Sequence, residues 1–99
     1  MPVYMTRIEL RDATPADYEV LNRAMAAQGF LQAITGNDGT AYQLPTGNYL
    51  GQTEADAQEV MNIAGFAASM TTKSFGIVAT EFERTSWRGL LPAEAPAKQ

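Results

Sequence analysis

The sequence predicts an α+β domain on the ferredoxin-like βαββαβ plan: one antiparallel four-stranded sheet with two helices on one face. Three observations predict it. Two segments carry apolar residues at helical spacing, and four others alternate or run apolar at strand length. Between the middle two of those four stands Gly36-Asn37-Asp38-Gly39, whose residues tolerate the positive φ of a tight hairpin. A chain of 99 residues has room for one domain. That domain is expected over residues 1–83, with 84–99 as a tail or partner-covering segment.

The first strand is expected over residues 3–11. Tyr4, Thr6, Ile8 and Leu10 share one face; Val3, Met5, Arg7, Glu9 and Arg11 share the other. Thr14-Pro15-Ala16-Asp17 then starts a helix: Thr14 caps, Pro15 suits the first helical position, and Asp17 sits where a capping box places its acid. Tyr18, Leu21, Ala24 and Met25 form its apolar arc, and Gly29 ends it. A second strand over 30–35 and a third over 40–44 flank the turn, Pro45 stops the third, and residues 49–51 are short enough to be only a brief extra strand. Thr53 is the expected cap of a second helix reaching about Thr71, with Ala57, Val60, Met61, Ala64, Ala67 and Ala68 facing the sheet. A fourth strand follows over 73–82. Beyond Glu83 periodicity is lost, and Pro92, Pro96 and the alanines at 93, 95 and 97 predict a frayed end, least ordered over its last eight residues.

Charge and composition remove several function classes. Seven basic and eleven acidic residues give a net charge of −4, and there is no His and no Cys. A disulfide framework, a Cys/His zinc site, a thiol nucleophile and a Ser-His-Asp triad therefore have no residues to be built from. The basic residues are few and spread along the chain, so a phosphate-binding footprint is not expected and nucleic acid is a disfavoured partner. No apolar run approaches the roughly 18 residues of a membrane span, and MPVYMTRIEL lacks the basic and apolar regions of a signal peptide. A cytoplasmic location without membrane association is the expectation, and no cofactor is called for.

The second helix carries more apolar surface than a monomer uses. Ile63, Phe66 and Met70 form a further stripe roughly 180–240° around the helix from Ala57. Two covers are open: the C-terminal segment with Trp87, Leu90 and Leu91 folding back, or another protein, including a second copy. A domain this small also gains from the burial a dimer adds. Trp87 beside Arg88 has the composition of an interface anchor.

Other candidates have simpler readings. Asp12, just after the first strand, is a candidate divalent-metal ligand, but an acid before a helix N-terminus is also favoured by turn chemistry and the helix dipole. Met5, Arg7, Glu9 and Arg11 line the open sheet face and are candidate ligand contacts or cross-strand ion pairs. Glu54, Asp56 and Glu59 are explained by the helix start they occupy.

The Gly29-Phe30 strand start, the Asp38-Gly39 turn, the Gln43-Leu44 strand end and the helix after Thr53 resemble the GhoS-type small antitoxins over residues 3–82. The plan is also similar to the small ferredoxin-like subunit of the CRISPR adaptation complex. The first resemblance implies cleavage of a toxin transcript and the second implies dimerisation and nucleic-acid binding; both imply conflict between host and prophage or other mobile element as the setting. In the adaptation subunit the first strand ends in a metal-linked acid, and Asp12 is the matching position. No clustered Arg set matches a nuclease site.

The expected function is a non-enzymatic regulatory or inhibitory module that acts by protein contact, as a homodimer or with another protein. The alternative is a metal-dependent antitoxin-type RNA endonuclease, with Asp12 holding Mg²⁺ and Arg7 or Arg11 steadying phosphate. A third reading places a small ligand between sheet and helices, against which the Ala-rich second helix argues.

Overall fold

A computed structural model describes residues 1–93. The expectation for the chain end at Ala95, Pro96 and Ala97 lies outside the described residues. Within them the order is β1 (Val3–Leu10), α1 (Pro15–Ala27), β2 (Ala33–Thr35), β3 (Ala41–Gln43), β4 (Asn48–Gln52), α2 (Ala57–Ser69) and β5 (Phe75–Phe82). The α+β class holds. The single four-stranded sheet does not: a three-stranded antiparallel sheet runs β4-β1-β5, and β2 and β3 form a separate two-stranded one.

The physical reason lies in residues 29–35. Gly29 turns with φ +89°, and Phe30 drops into the core, so the chain leaves the extended path expected from Phe30 onward. Leu31 touches the sheet at one point, exchanging amide bonds of 2.9 and 2.8 Å with Leu50. Only Ala33–Thr35 then pairs with β3, around the expected Gly36–Gly39 turn. The place beside β1 goes instead to β4, the segment the sequence marks only as a brief extra strand.

The core sits between the β4-β1-β5 sheet and both helices. Tyr4, Ile8 and Leu10 of β1 pack with Leu21 and Met25 of α1, and with Val60, Ala64, Ala67 and Ala68 of α2. Thr6 is fully buried among them, and its hydroxyl has no hydrogen-bond partner. Gly51 is required where it stands, because a Cβ there would come within 2.7 Å of the Phe30 ring. Tyr49 is fully buried and donates its hydroxyl to Asn22 of α1; burial, and then Tyr18, push its phenol pKa well up.

α1 starts as its sequence dictates. The Thr14 N–H donates to Asp17 Oδ2 at 2.9 Å and the Asp17 N–H donates to Thr14 Oγ1 at 3.3 Å, closing a capping box with Pro15 at the first position. α2 starts later than expected. Thr53 accepts from the Ala55 N–H in a short turn of its own, and Asp56 is the cap, accepting from the Glu59 N–H at 2.9 Å. Ala57 and Met61, expected on the buried stripe, are exposed, and Val60, Ala64, Ala67 and Ala68 are the buried residues of the helix. β5 also begins two residues late, after Thr71 and Thr72 finish the turn out of α2.

Candidate functional site

The sheet has a covered side and an open side. Directly opposed residues of antiparallel strands share a face. The register sets Val3 beside Gln52 and Phe82, Met5 beside Leu50 and Thr80, and Arg7 beside Asn48 and Val78. These residues point away from both helices. Leu31, opposite Leu50, extends the middle row and is 54 % exposed. Half of this face is thus apolar: Leu31, Leu50, Met5, Val3 and Phe82 lie side by side, Leu31 exposed and the other four half-buried, while exposed Arg7 and Glu9 mark its polar end. Met5, Arg7 and Glu9 stand on this face as the alternation of β1 predicts. Leu31, Leu50, Phe82 and Val78 are contributed by segments whose pairing the sequence does not disclose; once β4 is placed, the alternation of Leu50 with buried Tyr49 shows the same face.

The polar end holds no convergent constellation. Arg11 folds over Gly76, with Nη1 donating to the Phe75 carbonyl at 3.5 Å and Nη2 lying 3.8 Å from Glu9. Arg7 is four residues back along the strand, on the order of 13 Å away, so the two guanidinium groups do not converge on one phosphate. Asp12 lies in the turn after β1 with φ +54°, a left-handed backbone that Asp tolerates better than most residues. Its carbonyl accepts from Lys73 Nζ at 3.2 Å, and the same ammonium lies 3.5 Å from Asp17. The Thr14 N–H first, and then Lys73, hold the Asp17 carboxyl below its ordinary range. Among the described residues no three acidic side chains gather into a group that could hold a metal ion.

The expected stripe on α2 divides. Ile63 packs against the core, whereas Phe66 and Met70 are 59 % and 52 % exposed. The C-terminal segment lies elsewhere. Trp87 stacks at a tilt on Tyr42 with centroids 5.9 Å apart. Leu91 accepts from the Gln43 N–H at 2.8 Å, and Ala93 donates to the Ala41 carbonyl at 2.9 Å, so residues 91–93 run along the free edge of β3. Leu90 is half-buried on this path and Leu91 exposed. Trp87, Leu90 and Leu91 therefore accompany the β2–β3 hairpin, and Phe66 and Met70 are left open to solvent.

Two open grooves of about 640 Å³ flank these features. One lies between the hairpin and residues 82–87, the other across the polar end of the sheet face. Neither lies between the sheet and the helices, where Val60, Ala64, Ala67 and Ala68 close the space completely. The sequence matches no protein-family model and no curated protein.

Proposed function

We propose that this protein is a small non-enzymatic regulator that acts by covering part of another protein, with the apolar half of its open sheet face as the contact. The observation that carries this reading is the row Leu31–Leu50–Met5, with Val3 and Phe82 beside it, on the side away from both helices. A solvated antiparallel face ordinarily alternates to polar residues. A contiguous apolar strip with charges at one margin has the make-up of an interface core and rim. It is carried on a rigid β-ladder, so docking costs little ordering entropy. Exposed Phe66 and Met70 on α2 form a second, smaller surface on the opposite side of the molecule.

The two surfaces are separable by substitution. The full chain serves as bait in extract of its own source organism, beside Leu31→Lys and Phe66→Asp variants whose folding is checked by circular dichroism. Any retained protein is then purified and titrated against all three. A partner whose affinity falls at least about tenfold with Leu31→Lys and stays within twofold with Phe66→Asp supports the reading, since an interface-centre residue is worth more than 1 kcal/mol. The reverse pattern moves the contact to α2 and overturns it. So does magnesium-dependent cleavage of RNA by the pure protein that disappears with Asp12→Ala.

A further inference from the structure

We propose that two copies of this chain associate through the free edge of β5, antiparallel and centred on Val78, to make one continuous six-stranded sheet. The direction of the amides comes first. In β1 the Arg11 N–H donates to the Ser74 carbonyl, while the Ile8 N–H goes to Gly47 and the Leu10 N–H to the Tyr18 hydroxyl. Odd residues of β1 thus bond toward β5 and even ones away from it. By the alternation of an antiparallel ladder, Gly76, Val78, Thr80 and Phe82 bond back to β1, and Phe75, Ile77, Ala79 and Glu81 turn their N–H and C=O groups outward. Among the described residues no strand lies on that side.

The molecule treats its other edges differently. Leu31 covers the outer edge of β4 at Leu50, and residues 91–93 cover β3. β5, eight residues long, has the Arg11 guanidinium on its Phe75 carbonyl at 3.5 Å and, among the described residues, no strand along the rest. Its sequence FGIVATEF carries one of the usual devices that blunt an edge, the charge of Glu81 near its end, and has no Pro and no Lys. The row of donors and acceptors from Ile77 to Glu81 accepts an extended backbone, and a helix or a small solute cannot satisfy it.

The register and the apolar residues at its centre select a second copy. A two-fold axis at Val78 opposes Phe75 to Glu81 of the other copy and Ile77 to its Ala79. Of the two-fold registers this one alone pairs all four outward residues with one another; shifting the axis to Ala79 carries Phe75 past the strand end to Glu83. In this register Phe75 and Glu81 of the second copy meet on the helix side of the sheet, while Arg11 crosses β5 over Gly76 on the other side. At the centre, the Val78 side chains, each 57 % exposed in one copy, face each other across a non-hydrogen-bonded pair. The groove of Met61, Asn62, Gly65, Phe75 and Ile77 beside this edge is closed by the same approach.

This interface uses the edge amides of β5 and not the apolar sheet face, so it stands or falls separately from the partner-binding reading. The test is sedimentation equilibrium of the full chain with register-specific cross-linking. The wild type is expected at twice its 10.7 kDa chain mass, and a mass of 10.7 kDa up to the solubility limit overturns the proposal. Val78→Cys, in a chain without native Cys, is expected to oxidise to a covalent dimer, because facing non-hydrogen-bonded residues lie about 4.5 Å apart at Cα, within disulfide reach. Thr80→Cys, roughly 13 Å from its own copy in this register, is expected to stay uncross-linked. Cross-linking at 80 without 78 overturns the register. Ala79→Pro removes an outward donor and no β1–β5 bond, and is expected to give a folded monomer. Should it fail to fold, Val78→Lys, which sets two ammonium groups against each other at the axis, gives the same reading, and a dimer that survives it overturns the proposal.

Discussion

β1 and β5 have the same length and pair along all of it, yet they carry different loads. The inward residues of β1, Tyr4, Thr6, Ile8 and Leu10, are all buried, because β4 and β5 flank the strand and both helices contribute to the core above it. Their opposite numbers on β5, Glu81, Ala79, Ile77 and Phe75, are half-buried or exposed. The difference teaches that position in the sheet, more than the residues themselves, sets what a strand contributes: Ile8 and Ile77 face each other in the same ladder, and only one of them is fully out of water.

Truncating the two facing isoleucines separates the strands most clearly. Ile8→Ala should cost about 2–5 kcal/mol in chemical denaturation, the range for truncating a fully buried aliphatic side chain, and Ile77→Ala roughly half as much. Equal losses would mean that β5 is already covered. Next is the side of β1 away from β5. Gly51→Ala drives a methyl group into the Phe30 ring and should cost on the order of 1–3 kcal/mol; a neutral result would show that β4 is loosely held against β1. A gain is expected at Thr6, whose orphan hydroxyl pays the full desolvation penalty: Thr6→Val should stabilise by roughly 1 kcal/mol.

The smallest effect concerns the end where β1 and β5 leave each other, held by Lys73 against Asp17 and the Asp12 carbonyl. Asp17 has a folded pKa below its unfolded value. Its contribution is therefore complete above the unfolded pKa, near pH 4, and is lost as pH falls through the folded value. Asp17→Asn should lower stability at neutral pH and flatten the wild-type decline below about pH 4; parallel curves for the two proteins would place the acid sensitivity elsewhere.

Local rules were legible. The alternation of β1, the capping box at Thr14 and Asp17, the Gly29 stop and the Gly36–Gly39 turn all depend on neighbours a few residues away, and each stands where the sequence places it. The α2 boundary was less so, because Thr53 and Asp56 both accept backbone bonds from residues just after them and sequence alone does not rank the two. β4 was obscured by its own residues. Asn48-Tyr49-Leu50-Gly51-Gln52 is short and contains a glycine, and that glycine is explained only by the Phe30 ring lying over it. The apolar half of the candidate surface was hidden with it, since Leu50 and Leu31 join Met5 only when β4 is set against β1.

Which residues turn, cap and alternate, and so the α+β class and the buried face of β1, follow from backbone sterics and side-chain periodicity within one segment. Long-range packing sets which strand lies beside β1, sends residues 91–93 along the hairpin instead of α2, and leaves the outer side of β5 without a strand among the described residues. Those outcomes depend on which distant segments compete for the same hydrogen-bonding edge and the same apolar surface, and that competition has no signature in any one stretch of chain.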